Sequence, residues 1–266
     1  MRYYADLLRL RCFTKADVAT LTGSATAAGL LLTQYRKRGY VDQVRRDLWV
    51  VLGLEDRQPI ASRYRIASAI TPAACVSHHS AFEYHGYANQ VSYEVCVTSA
   101  TRFTPFEFDS VSYRWLAPRM DAGVEDRPDG VCVTDLERTV LDAINDVEKV
   151  GGLEELLASL ELVPYLNPDK LSSYLAAYGK QVLYQKTGYL LSQFNQTLRL
   201  PESFFTECEA RLGKSVRYLD QDLPDADKTY DRRWQLVAPR RLTGTLTQGL
   251  NEHDQLRQSH PRRSSC

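Results

Sequence analysis

The three histidines His78, His79 and His85 come closest to a metal-binding pattern, with Ser80–Tyr84 between the second and third. A zinc pair on a helix needs i, i+4 spacing, as in H-E-x-x-H, so that both imidazoles leave one face. His78 and His85 can share a face, but no nearby Cys or suitably placed carboxylate completes a tetrahedral set. Packed or surface roles are expected for all three, and no metal. Ser77 and Ser80 lie beside them without the G-x-S-x-G elbow that exposes a nucleophilic serine on a sharp turn. Neither G-x-G-x-x-G nor G-x-x-x-x-G-K-[ST] occurs, so no phosphate-cradling glycine loop is indicated. A restriction-type nuclease sets an acid two residues before a lysine on one strand. Here those positions hold Phe13, Tyr35, Val147, Pro168, Tyr178, Tyr184, Leu212 and Ala226, none acidic. A nuclease of this plan is not expected, and neither is a cofactor.

The remaining candidates lie in the first fifty residues and suit DNA. On a helix opened by Ser24, helical spacing gathers Thr26, Ala27, Leu30, Thr33, Gln34 and Lys37 opposite a stripe of Ala28, Leu31, Leu32 and Tyr35. The N-terminal part of such a helix reads base edges in a major groove. Threonine methyls can touch thymine, and Gln34 can pair with adenine. Lys15, Lys37, Arg45 and Arg46 are expected to contact phosphates or the minor groove, which positions a protein without specifying sequence. The face is poor in Arg and Asn. Modest specificity per subunit, reinforced by cooperation between copies, is the expectation.

The elements that must hold these residues are legible in the local sequence. Thr14 is a good N-cap, with Asp17 to favour the helix start. That helix ends at Thr22-Gly23, and Ser24 caps a second helix running to Arg38 and stopping at Gly39. Two β-prone runs then flank Arg45-Arg46-Asp47, giving a hairpin although its turn lacks Asn-Gly or Asp-Gly. Helix, turn, helix and basic hairpin give the order of a winged helix-turn-helix, expected over residues 1–55.

The whole chain has 266 residues, with 33 Lys+Arg against 33 Asp+Glu. That neutrality conceals a segregation. Residues 1–53 hold nine basic and four acidic side chains, a balance of +5, whereas residues 54–242 sum to −6. Charge asymmetry of this kind is a hint of nucleic-acid contact by the basic part. The larger part, 56–242, is expected to be a mixed α/β domain with strands first (ACVSH, SYEVCVTS, FEFDSVSYRWL, GVCVTD) and helices after, so that the chain as a whole is α+β. Thr134 and Glu137 suggest a capping box, and Asn167-Pro168 a further helix start. Residues 243–266 lose all periodicity and are expected to form a disordered tail. No run approaches about 18 uninterrupted apolar residues, so no membrane contact is expected. The charged N-terminus is not expected to act as a secretory signal. The six cysteines have no regular spacing and are read as reduced thiols of a cytoplasmic protein.

The run from FTKADVATLTGS through LWVVLG, with SAFEYHG, VTDLERTVLD and QKTGYLL further on, resembles the AbiEi family. Its members are antitoxins and transcriptional regulators of bacterial type IV, abortive-infection, toxin–antitoxin systems. The resemblance spans about residues 1–240. It implies a winged helix that represses the protein's own operon by binding promoter repeats. It also implies a C-terminal domain that counters a nucleotidyltransferase-like toxin. Ser80, His85, Thr134, Glu137, Arg138, Thr139, Asp142, Lys186, Gly188 and Tyr189 match family motifs. Capping explains Glu137 and packing explains Gly188-Tyr189, which leaves Arg138 and Lys186 as candidates for contacting the toxin. Asp47 stands where the family usually has glycine, which puts the geometry of the hairpin turn in question. The alternatives from the residues alone are a transcription factor with a ligand-sensing domain, or a DNA-acting enzyme.

Overall fold

The computed structural model describes residues 2–219, 227–240 and 242. The expected tail, 243–266, lies outside the described residues. The fold is mixed α+β and divides into two compact units: Met1–Tyr84 with Ser92–Asp135, and His85–Val91 with Leu136–Cys266.

The first unit begins with α1 (Tyr4–Leu10), β1 (Cys12–Phe13), α2 (Lys15–Thr22) and α3 (Ala25–Lys37). The hairpin of β2 (Val41–Arg45) and β3 (Leu48–Val51) follows, and β1 joins it to give the antiparallel order β1-β3-β2. Leu7, Phe13, Val18, Ala28, Leu32, Tyr35, Val41 and Val51 form the core of this module. Each such large side chain contributes roughly 1.5–3 kcal/mol when withdrawn from water.

Then come α4 (Arg63–Ser68), β4 (Cys75–Val76), α5 (His79–His85), β5 (Glu94–Thr98), β6 (Phe106–Phe108), β7 (Val111–Leu116), β8 (Val124–Asp126) and β9 (Cys132–Thr134). The six strands make one mixed sheet in the order β6-β7-β5-β4-β9-β8. β5 and β7 run parallel, as do β4 and β9, while the other neighbours are antiparallel. Val76, Val95, Val97, Tyr113 and Val133 pack with Ile66 and Ala67 of α4. Cys12, Val44, Leu48 and Val50 belong to the same cluster, so the small N-terminal sheet and the larger sheet share a core.

The second unit is helical before it is stranded. It contains α6 (Leu136–Asn145), a 3₁₀ turn at Val147–Val150, α7 (Leu153–Leu162), α8 (Pro168–Tyr178), α9 (Gln181–Gln193), α10 (Asn195–Leu198) and α11 (Glu202–Ala210). The short strands β10 (Arg217–Tyr218), β11 (Lys228–Asp231) and β12 (Leu236–Pro239) close it as a sheet with β12 in the centre. Gly188 of α9 is required by packing. A Cβ there would stand 2.1 Å from Trp234 Cζ3, and Trp234 is buried.

Candidate nucleic-acid interface

The helix pair that carries the candidate face is fixed by local hydrogen bonds. Thr14 Oγ1 accepts the Asp17 amide at 3.2 Å, and Asp17 Oδ2 accepts the Thr14 amide at 2.7 Å, a reciprocal capping box on α2. Gly23 ends α2 in the left-handed region at φ 76°, donating its amide to Ala19 O at 2.8 Å. One residue later, Ser24 Oγ accepts the Thr26 and Ala27 amides at 3.2 and 3.4 Å and starts α3. The two helices are thereby joined by a two-residue turn, Gly23-Ser24. At its far end α3 closes on Gly39 (φ 67°), with Gly39 N–H on Arg36 O and Tyr40 N–H on Tyr35 O, both 2.9 Å. Arg57 Nη1 adds a cation there, donating to Arg38 O at 3.3 Å and Gly39 O at 2.7 Å. A positive charge at this end complements the helix dipole.

Packing then decides which face of α3 is left outside. Ala28, Leu32 and Tyr35 are buried, and Leu31 packs partly against the same core. Thr26, Leu30, Thr33, Gln34 and Lys37 are exposed, and their spacing of 4, 3, 1 and 3 residues puts them on one stripe. The helix runs Ala25–Lys37, and from Thr26 to Lys37 the stripe extends along about 17 Å. Leu30 is 63% exposed, an apolar side chain offered to solvent in a polar surround. Of the other candidates, Ser24 is exposed but its oxygen caps the helix, and Ala27 is half-buried. The Thr33 hydroxyl donates to Gly29 O at 2.9 Å. Lys15, from α2, reaches this surface: its Nζ lies 3.6 Å from where a Cβ on Gly29 would be.

The hairpin separates two arginines that the sequence reading joined. β2 and β3 pair Val41 with Val51 and Arg45 with Leu48, with a register shift between Gln43 and Arg45. Arg46 and Asp47 form the tip. Arg46 is exposed. Arg45 instead sits over the rings of Phe103 and Phe106, with Cζ 5.5 and 5.3 Å from their centroids. Its Nη1 is buried without a hydrogen-bond partner. The two rings thus hold the Arg45 guanidinium by cation–π attraction, and of the two arginines Arg46 alone stands at the tip. Asp47 takes the glycine-like conformation itself, at φ 64°, and its carboxylate accepts the Lys15 amide at 3.1 Å. Aspartate tolerates the left-handed region better than most residues.

In the second unit the two interaction candidates differ sharply. Arg138 is 1% exposed. Its Nε donates to Asp142 Oδ1 at 2.8 Å, and its Cζ lies 5.8 Å from the Tyr178 ring centroid. The Tyr178 hydroxyl donates to the same Asp142 oxygen. Burial, followed by the Asp142 charge, pushes the Tyr178 phenol well above its ordinary pKa and keeps it a donor. Arg138 thus neutralises an interior carboxylate. Lys186 is half-buried and donates to Leu219 O at 3.2 Å. It lines a cavity of about 510 Å³ together with Asn145, Asp146, Lys149 and Tyr218.

The capping box expected at Thr134 and Glu137 is corrected. Glu137 Oε1 accepts the Asn167 amide at 2.8 Å, and Lys170 Nζ is 3.6 Å from Oε2, so this carboxylate secures the start of α8. Ser80 is buried and its Oγ accepts the Cys96 amide at 2.9 Å, tying α5 to β5. His78, at φ 55°, has Nδ1 2.9 Å from Ser77 Oγ; His78 and His79 are buried and His85 half-buried. Among the described residues no group of three or more His, Cys, Asp and Glu side chains is placed to hold a metal. No helix among them is long and apolar enough to cross a membrane. Sequence reasoning missed Arg57 as the cap of α3, and Arg38 as an exposed cation beside Lys37. The Arg-Lys-Arg run at 36–38 was the available signal for Arg38, and Arg36 is paired with Asp42 at 3.2 Å.

These arrangements define a mixed α+β protein with a capped helix pair presenting a solvent-facing polar stripe. No family model matches the chain, and no curated protein matches it. It is similar in structure to the RV2827C protein from Mycobacterium tuberculosis, with a TM-score of 0.64 over 94% of each chain and 17% sequence identity. At that identity the likeness concerns the fold alone.

Proposed function

We propose that this chain is a non-enzymatic, DNA-binding autorepressor and antitoxin of the AbiEi kind, acting in the bacterial cytoplasm. In this reading residues 1–55 work as a winged helix-turn-helix on double-stranded promoter repeats. The larger part counters a nucleotidyltransferase-like toxin. The observation that carries the DNA half is the stripe of Thr26, Leu30, Thr33, Gln34 and Lys37 facing solvent on a helix capped at both ends. Such a helix fits a major groove, with Leu30 and the threonine methyls suited to thymine and Gln34 to adenine. Lys15 at the α3 surface, Lys37 at its end and Arg46 at the hairpin tip would meet phosphates. The antitoxin half rests on the sequence resemblance, with half-buried Lys186 the more exposed of the two contact candidates, Arg138 and Lys186.

Full-length protein added to a duplex from its own promoter, and to a scrambled duplex, tests the first half. Tighter binding to the promoter together with repression of a promoter reporter is expected; equal affinity for both duplexes overturns it. Co-expression with the neighbouring gene tests the second half. Relief of a demonstrated toxicity is expected, and unrelieved growth arrest overturns it.

The cavity lined by Asn145, Asp146, Lys149 and Lys186 favours a second reading, a transcription factor whose larger part senses a small polar ligand. That reading predicts a metabolite that changes promoter affinity and requires no toxin gene nearby.

A further inference from the structure

We propose that Cys75 and Cys132 form a dithiol site that a hydroperoxide converts into an intramolecular disulfide. β4 and β9 run parallel with Val76 opposite Val133. One residue earlier on each strand, Cys75 and Cys132 stand side by side on the other face of the sheet, because side chains alternate along a strand. Adjacent strands lie about 4.8 Å apart. That falls inside the roughly 4.4–6.8 Å between Cα atoms that a disulfide spans. Neither cysteine is engaged in a disulfide, and the Cys75 thiol donates to Val76 O at 3.5 Å.

Cys132 differs from Cys12 and Cys208. Burial pushes Cys12 and Cys208 up to about 12, which keeps them protonated and inert. The neighbouring Cys75 side chain instead brings the Cys132 thiol below its ordinary pKa, against burial and the carboxylate of Asp126 opposite it on β8. Cys132 is half-buried and Cys75 buried, so an oxidant meets Cys132 first. The thiolate, and not the thiol, is the nucleophile in such reactions.

The chemistry balances in two steps. Cys132 sulfur attacks one peroxide oxygen; the O–O bond breaks, and the leaving alkoxide takes the thiol proton as an alcohol, giving a sulfenic acid. Cys75 sulfur then attacks the sulfenic sulfur; the S–O bond breaks, and hydroxide leaves with the Cys75 proton as water. Two thiols lose two electrons and the hydroperoxide gains them. Ser68 Oγ accepts the Cys132 amide at 2.9 Å and holds that strand in place for closure. Among the described residues, Val76–Val133 is the one register pair between β4 and β9, so the bond would staple the sheet at its narrowest join.

Treatment of the full chain with hydrogen peroxide, followed by alkylation and peptide mass mapping, tests this. Alkylatable thiols should fall from six to four, with one peptide pair joining Cys75 to Cys132, and dithiothreitol should restore all six. Cys75→Ser should stop at a sulfenic acid on Cys132 that dimedone traps, and Cys132→Ser should give neither product. Six unchanged thiols, a disulfide between other cysteines, or sulfinic acid on Cys132 of the wild-type chain without a cross-link would overturn the proposal. The mapping on wild-type protein stands even if either variant fails to fold.

Discussion

Helices α3 and α6 both carry polar side chains along most of their length, and they use them in opposite ways. In α6, Glu137, Arg138, Thr139 and Asp142 are all buried. Their charges are matched inside the protein: Arg138 by Asp142, and Glu137 by the Asn167 amide and Lys170. In α3 the buried residues are apolar or aromatic, and Thr26, Gln34 and Lys37 point to solvent. A polar side chain in the interior is held by what it satisfies there, since an unmatched buried charge is expensive. A polar side chain on an exposed stripe carries no such obligation and remains available to a ligand. Motif matching alone does not separate these cases; burial does.

The comparison breaks most visibly at Arg138. Replacing it with Ala strands the Asp142 carboxylate in the interior, and a loss of about 3–5 kcal/mol in urea unfolding of the full chain is expected. A loss below about 1 kcal/mol would mean that the pair is not structural, and would reopen Arg138 as a contact residue.

Gly188→Ala comes next. The added methyl would meet Trp234 at 2.1 Å, with expected overpacking of about 1–3 kcal/mol by the same assay. Unchanged stability would show that Trp234 can shift aside, and that Gly188 is not fixed by packing.

A smaller and more discriminating pair of variants lies on the hairpin. Arg45→Ala should lower stability by about 0.5–2 kcal/mol through loss of the contacts over Phe103 and Phe106. Arg46→Ala should leave stability within about 0.5 kcal/mol while weakening DNA binding. If Arg45→Ala instead reduces the salt dependence of binding as much as Arg46→Ala does, the guanidinium leaves its rings on DNA.

The parts of this contrast that were legible in the sequence are the local ones. Thr14 with Asp17, Gly23, Ser24 and Gly39 each act within a few residues, so the two helices and their turn follow from short-range hydrogen bonds. The spacing of Ala28, Leu32 and Tyr35 likewise reveals the buried side of α3. What was not legible depends on distant partners. Arg45 is claimed by Phe103 and Phe106, far along the chain, and no feature of the basic hairpin sequence announces them. Glu137 sits where a capping box would place it, yet a segment 30 residues on takes its carboxylate. The pairing of Val76 with Val133 depends on strand register, which two strands of two and three residues do not encode locally.

The most direct test of the central claim is the salt dependence of promoter binding, measured on wild-type full-length protein and on a Lys37→Ala, Arg46→Ala double variant. Each phosphate contact contributes about 0.9 to the slope of log affinity against log salt. The account predicts a slope shallower by about 1.8 in the double variant, with weaker binding and an unchanged urea midpoint. An identical slope and affinity would contradict the assignment of α3 and the hairpin tip as the DNA-facing surface.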